Sequence, residues 1–493
     1  MNKRIPTTVL CVAMLAAYGC GGQENVPERT SAPETSGEVT TEQVYSRENM
    51  PDSLPDDLNF GGEIFTIHCF DQNAMEWIAE GENGDIINDS IYRRNRAVED
   101  RLGVNLDFYH AGALTDYSSV TMNALRSSIL AGSGEFDLIA GYAAFITRGM
   151  GGYLTNLYDV KYLDFDKPWW ISNMADEMTV NNRMYYMTGD IGLTFLRSFD
   201  ACFFNSQIAE DYKLGDLFDI YNEGKWTIDE MRRCVVAVTD DLNGDGKTDA
   251  DGSDRIGLFM FDRASGLDGF LGGARLRVTE KNDSGIPEIS VNNERTVSLL
   301  EKLTGLFSEN GSNIKLMIGY PKAEETGLNL FSSRKLLFFN AWMKVAENES
   351  FRNMQDDWGI LPYPKLDENQ EKYGVFVCDS YSLFCIPIDC KDIDRAGAVT
   401  EALAAESYRR VTESYYSVAL QSKYARSDES IKVLDDMRES VYMDFGYNYT
   451  GIGASYVVRD IISGKRENFA SWYAAMQDMM DNALETELTV YLE

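Results

Sequence analysis

Residues 63–70 read EIFTIHCF and residues 136–142 read FDLIAGY, two short apolar runs rich in β-branched and aromatic side chains. Such runs mark strands buried on both faces, as in parallel sheets covered by helices. Between them, Ile91, Val98 and Leu102 fall on one face of a helix that Gly103 stops. Val104, Leu106 and Phe108 then alternate as a strand, and Met122, Leu125, Ile129 and Leu130 mark a second helix. A β-α-β-α-β order predicts an α/β unit with a parallel sheet. Ligands of such sheets bind beyond the carboxyl ends of the strands, which makes residues 71–77 and 142–145 candidate cleft loops.

A second α/β unit begins near Phe199 with DACFFN (200–205), a helix pattern at 226–238 (WTIDEMRRCVVAV) and a strand at 336–340. The chain then returns. FVCDSYSLFCIPI (376–388) reads as a strand pair or a strand with a turn, and 396–406 as an alanine-rich helix. Phe469, Trp472, Met476, Met479 and Leu484 recur at helical spacing near the C-terminus, and no internal repeat is visible.

The 493 residues include 79 Asp+Glu and 45 Lys+Arg, so the formal charge is 45 − 79 = −34. So acidic a chain repels phosphate backbones and anionic lipid, which excludes nucleic acid as a partner. With His68 and His110 as the two histidines, a three-histidine metal centre is excluded. Lys3 and Arg4 precede an apolar stretch from Val9 to Ala17 and the segment Ala17-Tyr18-Gly19-Cys20. This resembles a bacterial lipoprotein signal, which implies cleavage after Gly19 and lipidation of Cys20. Removal of Lys3 and Arg4 makes the charge 43 − 79 = −36. Residues 21–58, with Pro27, Pro33, Pro51 and Pro55 among Ser, Thr and Glu, read as a disordered, self-repelling tether. Of the remaining cysteines, Cys69, Cys202 and Cys385 sit in apolar runs and read as buried hydrophobes; no pair has CxxC spacing.

A series of segments carries a family resemblance: FDLIAGYAAFITRGMGGYLTNL (136–157), MYYMTGDIGL (184–193) followed by DACFFN, then KWTIDEM (225–231), KLLFFNAWMKVAE (335–347), WGILPYPK (358–365) and DIISGKRENFASWY (460–473). In this order the chain resembles the extracellular solute-binding proteins of carbohydrate ABC transporters, the group that includes maltose-binding protein. The resemblance implies a periplasmic-binding-protein-like type II fold, two α/β lobes joined by a hinge of several crossings. Lobe one would be residues 60–197 and 372–415, and lobe two 198–371 and 416–493. It further implies a non-enzymatic, monomeric, exported lipoprotein on the outer face of the cytoplasmic membrane. Such a protein captures an oligosaccharide between its lobes and delivers it to ABC permease subunits, touching the membrane through its lipid alone.

A sugar site needs aromatic plates for C–H faces and planar polar groups for hydroxyls. The resemblance makes Trp342 a stacking candidate and places Tyr142, Asp190 and Asp379 in segments that line the cleft. A carboxylate there would accept charge-assisted hydrogen bonds from sugar hydroxyls. Trp77, the adjacent pair Trp169 and Trp170, and Tyr447 and Tyr449 are further candidates. Separately, DLNGDGKTD places Asp241, Asn243, Asp245 and Asp249 at positions 1, 3, 5 and 9 of an EF-hand-like loop, with the Lys247 carbonyl at position 7. That spacing predicts structural Ca²⁺, although Gly252 stands where the bidentate acid belongs. Two other functions stay open at this point: a secreted glycoside hydrolase using paired carboxylates, and a binder of cationic peptides or polyamines.

Overall fold

The computed structural model describes residues 45–110, 112, 120–261, 266–308, 315–317, 322–419, 428–464 and 468–493. The signal segment, Cys20 and the tether up to residue 44 lie outside these residues. Residues 46–493 form one compact unit built on two main sheets.

The first sheet has the order β11-β3-β1-β2, from β1 (Glu63–Cys69), β2 (Val104–His110), β3 (Leu138–Tyr142) and β11 (Ser382–Cys385). β1 pairs in parallel with both β2 and β3, as the alternation of strand and helix dictates. β11 closes the other edge antiparallel to β3, so its amino end lies beside the carboxyl end of β3. The helix α1 (Ile86–Leu102) starts at Asp85, whose side chain accepts from the Asn88 amide, and ends at Gly103, left-handed at φ 58°. The helix α2 (Met122–Leu130) buries Met122, Leu125 and Ile129. Burial of β1 begins at Phe65; Glu63 and Ile64 are exposed, because the strand projects past its neighbour β3, which pairs from Ile67 onward.

The second sheet has the order β10-β4-β9-β5-β8, with β4 (Asp200–Asn205), β5 (Ile256–Phe261), β8 (Lys315–Met317), β9 (Leu336–Trp342) and β10 (Trp358–Leu361). β6 (Thr279–Lys281) and β7 (Pro287–Ile289) form a small separate hairpin. Every residue of β4, β5 and β10 is buried, so apolar runs such as DACFFN follow from burial on both faces. Around this sheet lie α3 (Ile228–Val238), α4 (Gly269–Gly273), α5 (Glu294–Ser308) and α6 (Lys322–Ser332); α3 is capped by the Thr227 side chain.

Three segments run side by side between the sheets. The Asp200 N–H donates to the Phe376 carbonyl at 2.9 Å, and the Cys378 N–H to the Ser198 carbonyl at 2.9 Å. On the other side of the return segment, Val375 exchanges hydrogen bonds with Ser440 and Tyr442, both at 3.0 Å. Beyond it come α7 (Ile393–Glu406), α8 (Asp428–Glu439), α9 (Val457–Ile462) and the C-terminal α10 (Phe469–Leu492).

The stretch read as a tether is shorter than its composition implies, for residues 46–58 pack on the body. Leu54 is buried, Asp52 accepts from Arg101 and Arg409, and Arg47 lies over the Tyr408 ring at 4.5 Å. One leucine and one doubly paired carboxylate suffice to dock a segment whose average composition is that of a linker.

Candidate functional site

The carboxyl ends of β1 and β3 and the segment entering β11 meet at one edge of the first sheet. Tyr142, the last residue of β3, packs its ring on Phe70 at 4.9 Å and on Phe145 at 5.5 Å. The Ala143 and Ala144 N–H groups donate to the carbonyls of Tyr381 and Asp379, holding the two segments together. The Tyr381 hydroxyl donates to Asn448 at 2.8 Å. Asp379 is partly exposed at this edge, beside Tyr142.

The second sheet presents a polar face to the same region. Asp200 opens β4 directly across from Trp342, which ends β9, and Cys202 lies across from Asn340. Side chains alternate along a strand and match across a pair, so Asp200, Cys202, Asn340 and Trp342 share one face. Tyr363, two residues beyond β10, and Asp268, just before α4, stand over that face; both feel the Asp200 charge. α4 packs closely because it begins with glycine: a Cβ on Gly269 would stand 2.4 Å from the Tyr363 ring.

Asp200, Asp268, Asn340 and Tyr363 are essentially inaccessible, at 1%, 0%, 0% and 1% exposure, and Tyr447 is 8% exposed. Among the described residues, no group donates a hydrogen bond to either Asp200 oxygen and the Tyr447 hydroxyl makes none, while the Asn340 amide and the Tyr363 hydroxyl have only each other within reach. Buried polar atoms are normally satisfied, and each one left without a partner costs about 1–3 kcal/mol. Asp268 is paired with Arg459 of α9 at 2.7 Å. Burial holds Asp200 well above the usual carboxylate range, and the charges of Asp268 and Asp379 push the same way. Burial raises Asp268 to about 6 against the pull of Arg459, and raises Asp379 while Arg459 and Arg148 oppose it. Tyr447 lies where the charges of Asp379, Asp268 and Arg459 reach its hydroxyl, and its ring meets Phe376 edge-on at 4.3 Å. The result is an enclosed, acceptor-rich cluster spanning both sheets, with hydrogen-bonding capacity that the protein leaves unused.

Of the residues singled out from sequence, Tyr142, Asp379, Trp342 and Tyr447 are brought to this region. The Trp342 indole is partly exposed, with the Lys344 ammonium 3.7 Å from its ring centroid and Glu324 accepting from its N–H at 3.3 Å. The others are committed elsewhere. Asp190 is buried in an ion pair with Arg438 and accepts from Thr412 at 2.7 Å. Trp169 and Trp170 are both buried, and both indoles donate to Glu401 at 3.0 Å. Trp77 is fully buried against Phe384 and Arg94. Tyr449 stacks on Phe445, and its hydroxyl meets that of Tyr491. Asp200, Asn340, Tyr363, Asp268 and Arg459 were not singled out. Asn340 carried a readable signal, an amide inside the otherwise apolar LLFFNAW, where a buried polar group demands a partner.

In the acidic loop, Asp241 accepts from the Gly244 and Gly246 amides at 2.7 and 2.8 Å, Asn243 from Asp245, and Asp245 from Lys247. Asp254 accepts from Leu242 and Asp249. These side chains serve the loop's own backbone, and no three acidic, histidine or cysteine groups among the described residues are gathered around a metal position. All six described cysteines are free thiols, and Cys69, Cys202 and Cys385 are buried as expected. Among the described residues no helix is long and apolar enough to cross a membrane.

No protein-family model matches the chain, and no curated protein matches it. Solved structures do. A cyclo/maltodextrin-binding protein complexed with maltotetraose aligns with a TM-score of 0.52 at 12% identity, over 87% of this chain and 96% of its own. The GacH receptor of Streptomyces glaucescens, solved unliganded and with acarbose, gives 0.52 at 12% identity over 87% and 98%. An ABC transporter solute-binding protein of Thermotoga lettingae bound with α-D-tagatose gives 0.51 at 13% identity over 86% and 100%. The fold is therefore the α/β, type II solute-binding-protein fold, as the resemblance implied.

Proposed function

We propose that the chain is a binding protein that captures a carbohydrate between its two sheets and hands it to an ABC permease. The observation that carries this reading is the unsatisfied polar cluster of Asp200, Asn340, Tyr363 and Tyr447. Its unused donors and acceptors suit the hydroxyls of a sugar, and Trp342 and Tyr142 at its margin suit the C–H faces. The solved structures of this fold named above hold maltotetraose, acarbose and tagatose. The adjacent crossings at Asp200, Phe376 and Val441 would form a narrow hinge, and ligand contacts made from both sides would favour closure. Asp200 and Asp379 are spent as acceptors in this reading; no water-activating base is assigned, and the chain is a binder rather than a hydrolase. The signal at residues 1–20 supports export and anchoring through lipidated Cys20, and the loop at 241–252 is read as a structural Ca²⁺ site remote from the sugar. A panel of mono- and oligosaccharides screened by melting shift tests the reading. A saturable shift with the glycan recovered intact supports it, and released sugar overturns it.

A further inference from the structure

The polar cluster is unbalanced in a way that narrows the ligand. Its three carboxylates, Asp200, Asp268 and Asp379, face one another closely enough for their charges to interact, and Arg459 pairs with Asp268 alone. Arg148, the other guanidinium whose charge reaches Asp379, donates to Thr450 instead. Asp200 is left with both oxygens buried and no donor. The neutral groups around it do not correct this. Asn340, which is 0% exposed, and Tyr363, which is 1% exposed, could each donate but also bring acceptors of their own. A sugar hydroxyl supplies one hydrogen and no charge. Without ligand the buried Asp200 carboxyl keeps its proton; a protonated amine beside it supplies three hydrogens and the positive charge that lets the carboxyl ionise, which a hydroxyl cannot.

We infer that the ligand is a sugar carrying a protonated amine, whose ammonium group is received by Asp200 with Asp268 and Asp379 nearby. This rests on the carbohydrate reading and sharpens it. Remaining hydroxyls would use Asn340 and the Tyr363 and Tyr447 hydroxyls, and the uncharged ring face would lie at Trp342.

The test is calorimetric titration of the full chain with matched sets: glucosamine, galactosamine and mannosamine and the oligomers of glucosamine, each beside its N-acetylated and its parent hydroxyl form. The free amine is expected to bind at least about tenfold tighter than either uncharged form, as for a close charge pair removed from water. Asp200→Asn should abolish that preference, so that the free amine binds no tighter than its N-acetylated and hydroxyl counterparts, and Asp268→Asn provides a second variant should the first fail to fold. If the uncharged sugars bind as tightly as the amines, the ammonium inference falls and the carbohydrate reading stands. If no sugar of any form binds, both fall.

Discussion

The backbone N–H of Asp200 donates to the carbonyl of Phe376, 2.9 Å away, at the point where the chain first leaves one sheet for the other. This bond ties the outgoing segment to the returning one, and it sets the Asp200 side chain at the mouth of β4 rather than within it. In the proposed reading, the hinge and the floor of the binding site would be built from the same residues.

Trp342 and Trp169 should fail differently when removed. Trp342→Ala is expected to weaken sugar binding roughly thirtyfold, the scale of an interfacial aromatic anchor, with little change in melting temperature. Trp169→Ala should lower stability and leave affinity for the sugar intact. Titration and thermal denaturation of both variants decide the assignment.

Glu401 is the shared acceptor of two buried indole N–H groups. Burial raises its carboxyl to about 8, with the two tryptophan hydrogen bonds opposing. Replacing it by leucine strands both donors, so Glu401→Leu should cost about 3 kcal/mol in urea denaturation. The raised value also fixes a pH trend. A carboxyl that holds its proton more tightly when folded contributes stability below its unfolded value of 4.5, and that contribution declines as pH rises toward 8.

Asp52 has the opposite sign. Burial works against its charge, but hydrogen bonds from Arg101 and Arg409 outweigh this and lower its carboxyl from 3.8 to about 2. Its contribution, about 2 kcal/mol, is complete above the unfolded value and disappears as pH falls through about 2. Asp52→Asn should reduce stability at pH 6 by that amount and by much less at pH 2, measured by denaturant titration.

The acidic loop gives a direct metal test. If Ca²⁺ is bound, it raises the melting temperature of the parent chain, and Asp245→Ala removes the increment. No response of the parent to Ca²⁺ or to chelator would end that reading.

The sequence was most legible where burial is complete. Strands such as β4 and β9 announce themselves because both faces are covered, and α1 because Ile91, Val98 and Leu102 share a face and Gly103 stops the helix. The site was harder to read, since its key groups were chosen by register rather than by motif. Asp200 and Asn340 acquire meaning only when β4 and β9 pair antiparallel and put them on one face. Tryptophan was a poor guide for a related reason. Trp77, Trp169 and Trp170 look like sugar platforms in a loop, yet large apolar rings are most often consumed by the core. Asp190 looked available because its partner Arg438 lies 248 residues away in the chain.

The most direct test exploits the one group whose structural and binding roles predict opposite signs. Asn340 is buried between Cys202 of β4 and Met260 of β5, and the Tyr363 hydroxyl is the one side-chain group among the described residues within its reach. If it is kept for a ligand, Asn340→Leu should leave the melting temperature unchanged or raise it, while affinity for the sugar that shifts the parent falls at least about tenfold. A leucine variant that binds that sugar as tightly as the parent would contradict the account.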